Sequence, residues 1–213
     1  MISLTNMKNM IPIILSVLIW SCEVEPISPS NNGNNGWDTS GVVTNPPPGQ
    51  DIEMRTSFSD DFDDWRFDIG NMDVDVETAF TEDWDNWDFD GDGLDGDIRT
   101  QFTEDWDNWK LESDDHSIRI RTAFTEDWDN WDIDDNNSSW HADVRTSFSA
   151  DFDDWDIQFN GHSLDARTAF SNDWDNWDVS GDFPEDLAAE FRIAVLFVPV
   201  ITNVLIQKGM IEP

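Results

Sequence analysis

The residues of this chain best suited to chemistry are its carboxylates, and they recur. The motif Asp-[Trp/Phe]-Asp-[Asn/Asp]-Trp occurs six times. Its acids fall at Asp61 and Asp63, Asp83 and Asp85, Asp105 and Asp107, Asp127 and Asp129, Asp151 and Asp153, and Asp173 and Asp175. Carboxylates two positions apart, followed by an amide or a third carboxylate, form part of a calcium shell, which needs about six to eight oxygen ligands. One motif cannot complete that shell, so a neighbouring unit or backbone carbonyls would have to. The other reading is that these Asp and Asn side chains stabilise turns and stay solvated.

A denser acidic run appears once, at Asp88, Asp90, Asp92, Asp95 and Asp97, interleaved with glycines. Its opening resembles that of EF-hand-like and aspartate-rich calcium loops. The twelfth position is Arg99 rather than a bidentate Glu, which leaves a single aspartate-rich loop or an acidic turn. Trp pairs such as Trp84/Trp87 and Trp128/Trp131 can stack on sugar rings if exposed, or pack as core. Trp37 and Trp140, outside the motif, are better placed to be exposed. No catalytic residue stands out. His116, His141 and His162 sit in non-equivalent segments without metal-ligand spacing, and six copies of one acid pair describe a surface rather than a unique acid–base site. The expectation is a non-enzymatic protein that requires no cofactor, with calcium as the one candidate ion.

The motif belongs to a longer tandem repeat. Units start at Arg55, Glu77, Arg99, Arg121, Arg145 and Arg167, about 22 residues apart. Within a unit polar and apolar residues alternate, as at Ile118, Ile120, Thr122 and Phe124, and then at Trp131 and Ile133, which is the signal of half-buried strands. Between these lies a stretch rich in capping and turn-forming residues, where Thr125 can cap one helical turn. Each unit therefore predicts an antiparallel β-hairpin, and six units about twelve short strands, in a mainly β meander. The unit arginines are expected on the polar face, pairing with Asp132-type residues across strands. The predicted aromatic core is Phe58, Trp65, Phe80, Trp87, Phe102, Trp109, Phe124, Trp131, Phe148, Trp155, Phe170 and Trp177. So large an apolar face must be covered. A curled sheet, a barrel and a solenoid all remain open, and so does cover by a partner. The apolar stretch Leu187 to Ile206 (broken by Pro199) is expected as a helical or extended cover, with insertion into a membrane or partner as the alternative. The strands are too short for a transmembrane barrel.

The chain carries 47 acidic residues against 11 Lys and Arg, a formal net charge of −36. A surface so negative excludes nucleic acid as a natural partner and disfavours anionic lipid headgroups. It suits cations, basic proteins or neutral ligands.

Residues 1–21 carry one Lys, no acid and an apolar run from Ile11 to Trp20, the pattern of an export signal. Cys22, the only cysteine, follows Leu18-Ile19-Trp20-Ser21. The segment resembles the lipobox of bacterial lipoproteins, which implies that Cys22 is acylated and becomes the first residue of the mature chain. Glu23 and Glu25 resemble the acidic signal of Bacteroidota lipoproteins exported to the outer face of the outer membrane. The resemblance implies a membrane partner through the lipid and a location on the cell exterior. Four segments are thus expected: a signal peptide at 1–21, a lipidated disordered tether at 22–53, a repeat domain at 54–183, and an apolar packing segment at 184–213. Two functions fit: a surface module that binds a protein or glycan, with or without calcium, or an envelope protein that self-associates through strand edges or its aromatic face.

Overall fold

A computed structural model of the chain describes residues 50–59, 61–171 and 174–212. The leader, Cys22, Trp37, Asp173 and nearly all of the expected tether lie outside the described residues.

The alternation in the sequence becomes twelve strands: β1 (Ile52–Thr56), β2 (Asp64–Ile69), β3 (Met72–Thr78), β4 (Asn86–Gly91), β5 (Leu94–Thr100), β6 (Asn108–Ser113), β7 (Ser117–Thr122), β8 (Asn130–Asp135), β9 (His141–Thr146), β10 (Asp154–Phe159), β11 (His162–Thr168) and β12 (Asn176–Gly181). Each pairs antiparallel with its sequence neighbours, and β1 also pairs with β12, with Ile52 opposite Val179 and Met54 opposite Trp177. The sheet is a closed meander barrel. Closure answers the open question between sheet, barrel and solenoid, and among the described residues it leaves no free strand edge. The first strand begins two residues before the expected boundary at residue 54.

A single helix, α1 (Ala189–Gln207), follows β12 and runs through Pro199. It is apolar on every side, and all thirteen residues from Ile193 to Leu205 are buried. A helix covered on all faces must be surrounded, and only the inner wall of the barrel can do that. Phe197 meets the edges of Trp87 and Trp109, with ring centroids 5.6 and 5.5 Å apart. Near the start of α1, Ser113 Oγ donates to Glu190 Oε1 at 3.2 Å, from the β6–β7 end of the barrel. Near its finish, Asn203 Nδ2 donates to the carbonyl of Phe152 at 3.0 Å, at the opposite end. The helix is therefore the axial filling of the barrel. At ~1.5 Å per residue it is about 28 Å long, enough to outreach the strands around it. Its length and mean hydropathy of 1.8 would suit a membrane span, but 83% of that apolar window is buried inside the protein.

The outer wall is charged. Outward positions hold residues such as Glu53, Arg55, Asp68, Asp88, Asp90 and Arg99, the reverse of the apolar outer band of a transmembrane barrel. The unit arginines do form ion pairs there, including Arg55–Asp68 at 2.7 Å, Arg99–Glu112 at 2.9 Å and Arg121–Asp132 at 3.7 Å. These exposed pairs contribute little each, about 0–1 kcal/mol. Their larger effect is to offset crowding among like charges.

Candidate functional site: the crown of repeated turns

The two ends of the barrel differ. One end carries the tight turns between units, the start of β1 and the start of α1. The other carries the longer turn of each unit, described in full at residues 79–85, 101–107, 123–129 and 147–153 and in part within 57–63 and 169–175. Five positions of the unit hold the same residue in all six copies: a Thr, a Phe, two Asp and a Trp. The geometry shows what four of these do.

The shared Trp (Trp65, Trp87, Trp109, Trp131, Trp155, Trp177) points into the barrel and is at most 1% exposed. Its indole N–H is satisfied in every unit by the carbonyl three residues earlier, as in Trp109 Nε1 to Trp106 O at 2.8 Å. In the five units where it is described, the first shared Asp closes the turn with its amide, which donates to the carbonyl of the shared Phe, as from Asp83 to Phe80 at 2.8 Å. Between them Glu82, Glu104, Glu126 and Ala150 take positive φ, from 57° to 61°. This is the pattern of a type II turn, not the helical turn expected from Thr125. The side chain of the first Asp has local roles: Asp105 accepts from Asn108 Nδ2 at 3.1 Å, and the Asp61 carboxyl is pushed up by the hydrogen bond it shares with Asp63.

In units two, three and four the second shared Asp binds the Thr and the turn amide of the next unit. Asp85 Oδ1 accepts the Thr100 hydroxyl at 3.1 Å and the Glu104 amide at 3.0 Å. Asp107 does the same for Thr122 and Glu126, at 2.6 and 2.8 Å, and Asp129 for Thr146 and Ala150, at 3.1 and 3.0 Å. Ser59 Oγ reaches Asp175 Oδ2 at 3.1 Å across the closing seam. Asp85, Asp107 and Asp129 thus satisfy the positive-φ amide of the following turn, so these three candidate calcium ligands already have structural partners. Asp85→Ala, which strands that amide and the hydroxyl, is expected to cost about 1–3 kcal/mol. Asp85→Asn, which keeps one oxygen in place, should cost less than about 1 kcal/mol. Thermal melts of both variants, in EDTA and in calcium, check this. An equal loss in both variants that appears only with calcium present would make Asp85 a metal ligand instead.

The run from Asp88 to Asp97 folds as an ordinary hairpin. Gly91 pairs with Leu94 across a two-residue turn, in which Asp92 and Gly93 have φ of 50° and 81°. That is a type I′ turn, favoured by Asp-Gly. Asp88 lies opposite Asp97 and Asp90 opposite Asp95 along the outer wall, while Asp92 Oδ2 accepts the Asp73 amide at 2.9 Å. Four of the acids are strung along two strands and Asp92 sits in the turn between them, rather than all five being wrapped round one point. Burial pushes the Asp97 carboxyl up, against the pull of Arg99.

Among the described residues, the group whose ligand atoms all lie within 4.8 Å is Asp132, His141 and Asp143. Sequence spacing gave no hint of it. Pairing of β8 with β9 sets Asp132 opposite Asp143 and Asp134 opposite His141. The same atoms already take part in an ion-pair network: His141 Nδ1 lies 3.0 Å from Asp134, and Arg145 3.9 Å from Asp143. Burial penalises the Asp134 carboxylate, yet hydrogen bonds from Arg119 and His141 hold it below the usual range.

Comparison with protein-family models, with curated proteins and with solved structures finds no match. Function must therefore be argued from the crown itself.

The shared Phe corrects the expected core. Phe58, Phe80, Phe102, Phe124, Phe148 and Phe170 are 70–74% exposed. Each follows its strand by two residues, at the first corner of the type II turn, where period-two alternation no longer governs direction. The apolar partner of the core Trp is instead the turn aromatic (Phe62, Trp84, Trp106, Trp128, Phe152, Trp174), which lies over the end of the barrel. Trp140, expected to be exposed, packs between Phe159 and Phe191, with centroids 6.4 and 6.5 Å away.

Proposed function

We propose that the protein is a non-enzymatic binding module that meets its partner with the crown. One observation carries this: the crown phenylalanine is identical in all six units, yet it stands in water. The other shared residues have partners within the fold. A large apolar side chain with no part in the core stabilises nothing there, and repeated apolar exposure at one end marks an interaction surface. Sixfold presentation adds multivalency, by which weak individual contacts sum to durable attachment without any new kind of contact.

A surface lipoprotein anchored at Cys22 would suit this arrangement. The described chain starts at Gln50, whose amide donates to Asp182 at the end opposite the crown. A segment entering at that end leaves the crown, at the other end, free for a partner. In this reading the linking aspartates Asp85, Asp107 and Asp129 serve the fold, each accepting from a Thr hydroxyl and a turn amide.

The test is to change all six crown phenylalanines to Ser. Stability is expected to stay within about 0.5 kcal/mol per site, as for surface substitutions. Beads coated with the protein should adhere to one or more members of a panel of immobilised polysaccharides and basic proteins, and the sixfold variant should lose that adhesion. Equal adhesion by both proteins would remove the crown from the function. Self-association is the rival use of exposed Phe, and concentration-dependent sedimentation that vanishes in the variant would favour it.

A further inference from the structure

The sixfold pattern is broken where the chain leaves the barrel. After α1 the residues from Lys208 onward fold over one side of the crown. The Lys208 ammonium lies 5.4 Å from the ring centroid of Phe62 and 4.9 Å from that of Trp84, the turn aromatics of units one and two. Both rings are buried, at 8% and 6% exposure. The positions equivalent to this pair in units three and four are Trp106 and Trp128. They are only half-buried, and they form the floor of an open cleft of about 440 Å³. Glu104, Asp105, Glu126 and Glu212 stand around it, and no Lys or Arg is among the residues that line it.

We propose that this cleft binds an alkylammonium group, presented as a lysine side chain by a basic partner protein. The protein already shows the chemistry one pair of units away, where its own lysine sits on the equivalent rings. An ammonium ion is attracted to the face of an indole by the ring quadrupole, and surrounding carboxylates add a Coulombic contribution. A hard metal ion would gain nothing from two indole faces and would need converging oxygen ligands. The cleft also differs from the first pair in what is left over. Met210, Ile211 and Glu212, which follow Lys208, reach the cleft without bringing a cation. The crown as a whole points to a macromolecular source, since Phe102 and Phe124 project from the same two turns that carry Trp106 and Trp128. In that respect the inference rests on the crown being a binding surface.

The experiment uses the full-length protein, labelled with 15N at its tryptophans, and follows the indole N–H resonances. The probes are acetyl-Gly-Lys-Gly-amide, the same peptide with an Nε-acetylated lysine, and spermidine. The lysine peptide is expected to shift the Trp106 and Trp128 resonances saturably and the acetylated peptide to leave them unmoved. Trp106→Ala and Trp128→Ala should each weaken binding roughly tenfold, in keeping with loss of a cation–π partner. The triple variant Glu104→Gln, Glu126→Gln, Glu212→Gln keeps the aromatic floor and should also bind more weakly, which keeps the test decisive if a Trp variant misfolds. Equal response to both peptides would overturn the proposal, as would shifts centred on Trp84 with Trp106 and Trp128 silent. Spermidine binding much more tightly than the peptide would overturn the assignment to a partner's lysine. The Phe102→Ser, Phe124→Ser variant should still take up the small peptide. A failure of adhesion through the crown and a failure of the cleft are thereby told apart.

Discussion

A chain truncated after Gly181, lacking α1, is expected to have no cooperative thermal transition and to bind a hydrophobic dye or aggregate. The reason is what the helix covers. Ten large apolar side chains of α1, from Phe191 to Leu205, are fully buried. At about 1.5–3 kcal/mol each they represent roughly 20 kcal/mol of burial, before the inner wall they uncover is counted. That exceeds the ~5–15 kcal/mol net stability of an ordinary domain. A twelve-stranded wall cannot collapse to fill the space either, because strand number and stagger fix its diameter. Circular dichroism in the far and near ultraviolet measures the outcome. A soluble truncated barrel with unchanged near-ultraviolet signal would mean that the helix decorates the barrel rather than filling it.

The second large effect contrasts two aromatics seven residues apart in one unit. Trp109 is 0% exposed, meets Phe197 edge-on at 5.5 Å, and donates its indole N–H to Trp106 O. Trp109→Ala opens a cavity beside the helix and strands a carbonyl, at an expected cost of about 3–5 kcal/mol. For a domain of this size that lowers the melting temperature by roughly 10 °C. Phe102 is 73% exposed, and Phe102→Ser should change stability by less than about 0.5 kcal/mol. Calorimetry on the two variants decides it. If they lost similar stability, both rings would belong to the core and the crown would lose its basis as a binding surface.

That contrast also shows where sequence reasoning stopped. Twelve aromatics were expected in the core because alternation was carried one step too far, from Thr122 across the strand end to Phe124. Alternation holds only while the backbone is extended, and the chain turns at that point. The fixed Asp pairs were ambiguous for a different reason. Turn stabilisation and metal ligation call for the same oxygen-bearing side chains at the same short spacing. Only the position of the next turn shows that Asp85 and Asp107 are already engaged. The cluster of Asp132, His141 and Asp143 and the cleft over Trp106 and Trp128 were not visible at all, since each joins residues from different strands or units.

Local rules within the sequence determined six hairpins, twelve strands, a charged outer face, an apolar final segment and a tryptophan face that needed cover. Each depends on residues a few positions apart, so each could be read along the chain. Tertiary structure decided that β1 meets β12, that the last segment fills the barrel as a helix, and that one aromatic per unit is left in water. These outcomes depend on closing a ring of fixed circumference around a helix of matching width. That is a property of all twelve strands together and is not contained in any one repeat.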